Sequence, residues 1–322
     1  MNVPWCFQFS RKLNGGNQAL AAFFSELTQR KGSSLVLTGN GFIQFFKIAT
    51  KNRYQWVIVS DPLCSIILFI LGFRKVIHFV QSDDLILFKE HGFFFNFFYQ
   101  RIYFLMMRLT SWERVFNSEY SRIKFNLRFG TLYSQNAVVP LLGLVDLFPP
   151  RPRDSVRTQT VSKAGALWIG SKHGFKGGKV FARIVKKINI RATMIFSGEL
   201  PRWAHALNEF CKVERNLNRD EIFSQLREAS CYVYTSKFDS FALPIFEALY
   251  VGCPVVALRN ECIHLNNTDQ YVWVVENEIE LETVLHRFTQ NRIDLSRFPD
   301  WEFERKRLRD WIEGHFGHLQ SI

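Results

Sequence analysis

Two α/β domains, each built on a parallel sheet, are what this sequence predicts, and three observations carry the prediction. Between residues 166 and 235 short apolar runs alternate with helical spacings as βαβ units, a pattern that builds parallel sheets covered on both faces. Residues 236–258 (SKFDSFALPIFEALYVGCPVVAL) then read as loop, short helix, glycine stop and buried strand. Finally, 322 residues with 47% hydrophobic and 22% charged side chains suffice for two packed cores and do not resemble a disordered chain.

Charge and cysteine usage narrow the function classes. The net charge of +12 is uneven: residues 1–150 hold 16 Lys and Arg against 8 acids, hence +8, and the remainder 25 against 21, hence +4. The basic first half admits anionic partners, namely acidic substrates, membranes or nucleic acid. No nucleic-acid-binding motif accompanies the charge, so nucleic acid is not expected. Six scattered cysteines (Cys6, Cys64, Cys211, Cys231, Cys253, Cys262) form no CxxC pair and have no neighbouring histidines, so neither zinc nor a disulfide framework is expected. No secretory signal is visible at residues 1–9, and the longest apolar run, 63–73, falls short of the ~18–20 residues of a membrane span. The expectation is a cytoplasmic protein, peripheral at most on the inner face of a membrane.

In the first half, strands are expected at residues 5–9, 35–38, 56–59, 76–80 and 114–118. A helix should run from Asn17 to Arg30, with Leu20, Phe23, Phe24 and Leu27 on one face. Gly15-Gly16 ahead of it is a turn, or a point where backbone comes close to a ligand. Ser60-Asp61-Pro62 caps a helix ending near Leu71. Residues 78–84 (HFVQSDD) leave a strand for a loop, where either solvated polar groups or a ligand site fits. Residues 91–109 mix Phe94, Phe97, Phe98, Phe104 and Leu105 with Arg101 and Arg108. Two readings suit them: a core helix, or a helix at an anionic membrane surface supported by Arg114, Arg122, Lys124 and Arg128. A basic helix is expected at 119–129. Residues 149–163 have the Pro/Arg-rich composition of a linker, which separates domains at 1–150 and 151–322.

In the second half, strands are expected at 166–169, 192–197, 210–213, 231–235 and 253–258, and helices reaching Ile188 and Glu209 and spanning 220–229. The loop GSKHGFKGGK carries Lys172 and Lys176 among glycines, which suits a phosphate held by amides and ammonium groups. It is not a Walker A loop. Pro244 suits the first position of the following helix and Gly252 its left-handed end. Asp239 and Glu247 bracket that helix start with seven residues between them. Free amides near Ile245 and Phe246 could hold an anion there. Equally, Glu247 could serve only the helix dipole and Asp239 only solvent.

Residues 239–256 resemble the signature of the retaining GT-B-fold glycosyltransferases of group 1 (family 4). Phe241, Leu243, Pro244, Glu247, Ala248, Gly252, Pro254, Val255 and Val256 stand in register with it. Asp239 replaces the first Glu of the signature, Ser240 and Ala242 replace glycines, and Leu249-Tyr250 replaces Met-Ala. The resemblance extends to Gly15-Gly16, to Gly143, Val145, Asp146 and Phe148 before the linker, and to Lys176-Gly177. It continues through residues 195–199 with one glycine lost, Arg215-Asn216-Leu217, Glu221, Ile222, Leu226 and Ala229, and a terminal helix at 299–316 bracing the first domain.

What the resemblance implies is a GT-B architecture, two Rossmann-like domains facing across a cleft, that transfers sugar with retention from a nucleotide-diphosphate sugar. The acceptor would be a glycan or lipid-linked glycan of polysaccharide or lipopolysaccharide assembly. Asp239 would steer the donor sugar, Glu247 hold the ribose, and Lys172 and Lys176 clasp the diphosphate. Gly170, Glu199, Leu217, Ser240, Phe241, Ala242 and Leu243 would complete the donor site. Gly15, Gly16 and one of His78, Gln81 and Asp83 would face the acceptor side. No Asp-x-Asp metal motif lies in a suitable loop, so neither metal nor cofactor is expected. A catalytically silent sugar-nucleotide-binding relative is the alternative.

Overall fold

The structure, a computed structural model, describes residues 5–8, 15–28, 35–36, 56–60, 62–81, 93–129, 136–143, 165–207, 209–288 and 301–320. The chain divides into two compact units, Met1–Pro149 with Asp300–Ile322, and Pro150–Pro299. Each is built on a parallel sheet that has six strands among the described residues.

In the first unit the strands are β1 (Trp5–Gln8), β2 (Leu35–Val36), β3 (Val57–Val59), β4 (Val76–Val80), β5 (Glu113–Phe116) and β6 (Asn136–Val138), in the order β2-β1-β3-β4-β5-β6. Every residue of β3 and β4 is buried, as continuous apolar runs require when helices cover both faces. The helices are α1 (Gly15–Thr28), α2 (Pro62–Ile70), α3 (Phe93–Leu109) and α4 (Glu119–Phe129). Phe23 of α1 stacks on Phe79 of β4 with centroids 5.2 Å apart. On another face α2, α3 and α4 bury Leu68, Met106 and Phe125 around Phe116.

Buried Arg114 of β5 closes the end of α3, donating from Nη2 to the carbonyls of Met107 at 2.8 Å and Thr110 at 3.1 Å. A cation there satisfies carbonyls that the last turn leaves open and complements the helix dipole. Terminal helix α10 (Trp301–Gln320, numbered after the helices of the second unit) packs on the 3₁₀ turn Leu141–Gly143. A Cβ on Gly143 would lie 2.5 Å from the Glu304 carbonyl oxygen, so this close approach requires glycine. Of the linker-side residues singled out above, Val145, Asp146 and Phe148 lie outside the described residues.

In the second unit β7 (Ala166–Ser171), β8 (Ala192–Ser197), β9 (Lys212–Arg215), β10 (Cys231–Tyr234), β11 (Val255–Leu258) and β12 (Trp273–Val275) run in the order β12-β11-β10-β7-β8-β9. The chain steps outward from β7 to β9, returns beside β7 at β10, and steps outward the other way. That reversal creates a switch point at the carboxyl ends of β7 and β10, where parallel sheets open a crevice for ligands. Helices α5 (Gly178–Ile188), α6 (Arg219–Glu228), α7 (Leu243–Tyr250), α8 (Glu261–Leu265) and α9 (Glu278–Phe288) connect the strands. Trp168, Phe181 and Phe196 are fully buried at the centre.

Several expected elements differ. Residues 202–207, expected as part of an α-helix, form a 3₁₀ helix. The strand expected at 210–213 lies at Lys212–Arg215 instead. It is the sheet edge, so its residues are half-exposed and carry no continuous apolar run to mark them. Helix α1 begins at Gly15, two residues before Asn17. Helix α7 begins at Leu243, which places Pro244 second. Its missing N–H is still among the donors that a helix start leaves unpaired.

Candidate functional site

The loops after β7 and β10 meet at the switch point. Trp168 sits on β7 with its indole Nε1 donating to Thr235 Oγ1 at 3.1 Å, and Thr235 Oγ1 donates to the Gly177 carbonyl at 3.1 Å. Lys237 N donates to the Phe175 carbonyl at 2.7 Å. Gly177 has a φ of 75°, and a Cβ there would lie 2.1 Å from the Thr235 carbonyl oxygen. The two loops are therefore locked together through backbone, and glycine is what lets them touch.

This lock brings Lys176 and Asp239 together: Lys176 Nζ lies 2.7 Å from Asp239 Oδ2, and both side chains are about three-quarters buried, at 25% and 20% exposed. The Asp239 loop is held from its other side by α8. Asn260, which caps α8, donates from Nδ2 to the Ser236 carbonyl at 2.7 Å, and Asn266 donates from Nδ2 to the Ser240 carbonyl at 2.9 Å. Ser240 N donates back to Asp239 Oδ1 at 3.1 Å. Just before α7, Ala242 is buried with a φ of 57°, a left-handed conformation that costs an alanine roughly 1–2 kcal/mol. Phe241 folds over the helix, stacking on Phe246 at 4.9 Å. Leu243 and Ser240 are half-buried beside it.

Glu247 is on the second turn of α7, 8% exposed. Burial raises its carboxyl above the ordinary carboxylate range, and the Arg219 guanidinium, 3.5 Å away across the α6–α7 contact, opposes that rise. Lys172 is exposed, with Nζ 2.7 Å from Glu199 Oε2 on the loop after β8. Gly170, at the end of β7, leaves room for the Trp168 ring, which a Cβ would meet at 2.4 Å. Leu217 lies half-buried ahead of α6. All of these belong to the second unit.

The first-unit residues are arranged differently. Gly15 and Gly16 open α1 as its first residues. His78 lies within β4 rather than in the loop beyond it, and is 1% exposed. Burial, reinforced by the Arg114 cation, pushes its imidazole down to about 3. The Tyr103 hydroxyl is 3.5 Å from Nε2. His78 is thus a neutral core histidine. Gln81 follows the same strand directly, its carbonyl accepting from Asn117 Nδ2 at 2.7 Å. Asp83 lies outside the described residues.

Arg219, Thr235, Asn260 and Asn266 were not anticipated from the sequence. Each acts on a partner distant in the chain, and no local spacing signals that. Asn260 and Asn218 are legible as helix caps, ahead of Glu261 and of Asp220-Glu221, which for Asn260 is half of its role. Among the described residues no group of three His, Cys, Asp or Glu side chains is placed to hold a metal ion.

Residues 164–289 match the family model described as glycosyl transferases, group 1. No curated protein matches the chain. Among solved structures, the HepE protein of Anabaena in complex with UDP and glucose aligns with a TM-score of 0.66 at 15% identity, covering 97% of this chain and 100% of that one. WaaG, a glycosyltransferase involved in lipopolysaccharide biosynthesis, aligns at 0.63 and 13% identity, over 97% and 94% of the two chains. Sucrose-phosphate synthase from Thermosynechococcus elongatus aligns at 0.62 and 13%, over 87% and 77%. Such identities speak for fold alone. The chain has the α/β fold of the GT-B glycosyltransferase structures, and the part of it that matches the group 1 glycosyl transferase model lies in its second unit.

Proposed function

We propose that the protein transfers a sugar from a nucleoside-diphosphate sugar to an acceptor, with Lys176, Asp239 and Glu247 at the donor site. The observation that carries the reading is the Lys176–Asp239 pair, placed at the switch point of a group 1 glycosyl transferase domain and next to the start of α7. In this reading the Lys176 ammonium and the first amides of α7 face the diphosphate and offset the negative charge that grows on it as the sugar departs. That arrangement requires no metal. Asp239, held by Lys176 and by the Ser240 amide, accepts from donor-sugar hydroxyls, and Glu247 accepts from the ribose. Lys172 adds charge at the mouth once it exchanges Glu199 for phosphate. Transfer with retention and membership of family 4 are part of the proposal, on the strength of the signature around Glu247. UDP-sugars are the first donors to test, because the similar HepE structures hold UDP, UDP with glucose, and UDP-glucose.

The acceptor proposed is a glycan or lipid-linked glycan of cell-surface polysaccharide or lipopolysaccharide assembly, met at an anionic membrane on its cytoplasmic face. Support comes from α3, whose exposed Ile102, Leu105 and Leu109 alternate with exposed Arg101 and Arg108. Tyr103, Met106 and Met107 fill the core on its other side, so the core reading holds for that face and the membrane reading is proposed for the exposed one. No helix among the described residues is long and apolar enough to cross a membrane. Cys64, Cys211, Cys231, Cys253 and Cys262 are free, which suits a reducing compartment.

A silent sugar-nucleotide-binding protein is the second reading, favoured by one observation: Asp239, the shortened acid, is already paired with Lys176. Donor hydrolysis and transfer assays separate the two. Turnover that Glu247→Ala abolishes without loss of circular dichroism supports the enzyme. Nucleotide-sugar binding with no turnover on any acceptor supports the silent protein.

A further inference from the structure

The first turn of α6 holds a charge at the unfavourable end of a helix. Asn218 and Glu221 cap it reciprocally: Asn218 Oδ1 accepts from Glu221 N at 3.0 Å, and Glu221 Oε2 accepts from Asn218 N at 2.6 Å. Asp220 and Glu221 put negative charge where the dipole favours it. Arg219, the first helical residue, is a cation in the same place and opposes that dipole. Its own helix gives no reason for it.

The side chain leads elsewhere. The guanidinium passes over the Phe223 ring, 5.3 Å from its centroid, and ends with Nη2 3.5 Å from Glu247 Oε1. Both side chains are largely withdrawn from water, at 24% and 10% exposed. Helix α7 packs on α6, β10 and β11. From these elements Arg219 of α6 faces Glu247, and Tyr232 of β10 feels its charge together with that of Asp239. Burial first, then those charges, push the Tyr232 phenol well above its ordinary value, so it stays neutral. Strand β11 has no titratable residue.

We propose that Arg219 is the positioning residue of Glu247, holding its carboxylate charged and in one orientation for the vicinal hydroxyls of a nucleoside-diphosphate ligand. The inference rests on the donor-site reading above, which places Glu247 at the ribose but leaves open how a buried acid stays ionised. Desolvation raises that carboxyl, and the Arg219 cation is the charge that opposes it. Protonated, Glu247 would turn one acceptor into a donor and lose the charge that strengthens its hydrogen bonds.

Two readouts test it, on wild type, Arg219→Gln and Arg219→Lys. The first needs no ligand: carbon-13 labelled glutamate reports the Glu247 carboxyl by NMR titration, assigned by its loss in Glu247→Gln. Arg219→Gln is expected to raise the midpoint by about one pH unit or more, and Arg219→Lys to restore most of it. An unmoved midpoint overturns the proposal. The second readout is affinity for UDP across the pH range that spans both midpoints. Each protein should weaken as pH falls through its own Glu247 midpoint, so the loss in Arg219→Gln should begin at a pH higher by the shift that the NMR titration reads. In turnover, Arg219→Gln should raise the donor KM and leave kcat within about threefold, the mark of lost uniform binding. An affinity profile with the same midpoint in wild type and variant overturns the proposal. If wild type binds none of UDP, GDP, TDP and ADP, the donor-site reading fails, and the carboxyl titration still decides the role of Arg219.

Discussion

Asp239 is one methylene shorter than the glutamate of the signature it resembles, and both its carboxylate and its loop are held by named partners. Its carboxylate reaches Lys176 at 2.7 Å, and two asparagines from around α8 fix the loop that carries it. A misplacement near 1 Å at a reacting centre can cost on the order of 100-fold in rate, so a shorter acid needs such a fixed loop. Asp239→Glu should therefore retain some transfer, while Asp239→Asn, which removes the charged acceptor, should lose most of it, by about 100-fold in kcat/KM. Steady-state kinetics on folded variants decides this, and wild-type rates in Asp239→Asn would favour the silent-protein reading.

His78 makes a prediction of the same scale for stability. Its folded value, about 3, lies below the unfolded 6.5. Above 6.5 neither state carries the proton, and stability is complete. As pH falls from 6.5 toward 3 the unfolded chain takes up a proton that the folded chain refuses, and about 1.4 kcal/mol is lost per pH unit. Denaturation midpoints of wild type should drop more steeply over this window than those of His78→Gln. Equal slopes would contradict the buried neutral imidazole.

At the scale of elements, the sequence was legible where burial is one-sided or complete. Continuous apolar runs located β3, β4, β8 and β10 to within a residue or so, because a parallel strand covered on both faces excludes polar side chains. Edge strand β9 was expected two residues too early, since its half-buried and exposed residues form no continuous apolar run to fix its bounds. Within the candidate site, the acids and the glycine-rich loop were singled out by residue type, spacing and resemblance to the signature. The links between them were not, because Thr235 on Gly177 and Arg219 on Glu247 are made only when distant segments fold together. Gly143 shows the same limit. Its place before the linker was noted, but its reason is the α10 backbone lying against it. Gly143→Val should force α10 away and destabilise the first unit by about 1–3 kcal/mol, visible as a lower denaturation midpoint. An unchanged midpoint would mean that α10 is not held there.

At the scale of the molecule, two helices of the first unit set exposed apolar side chains beside basic ones. On α3 the exposed Ile102, Leu105 and Leu109 lie beside Arg101 and Arg108, and on α4 Leu127 is 78% exposed beside Arg128. Basic residues near an anionic surface contribute about 1 kcal/mol each within a Debye length, and inserted aliphatic side chains add a part that salt does not screen. Sedimentation with anionic vesicles should capture the protein at low salt and release part of it at high salt, and neutral vesicles should capture much less. Arg101→Glu with Arg108→Glu should release most of it. No binding to anionic vesicles at low salt would reject the membrane proposal and leave a water-soluble acceptor.

The donor site itself is tested most directly by thermal shift against UDP-, GDP-, TDP- and CMP-sugars, because a ligand that binds only the folded chain raises its melting temperature. Wild type should be stabilised by one nucleotide class, and that shift should vanish in Lys176→Ala and Glu247→Ala variants that melt as cooperatively as wild type. A shift that persists undiminished in both variants, or no shift with any nucleotide sugar at millimolar concentration, would contradict the account.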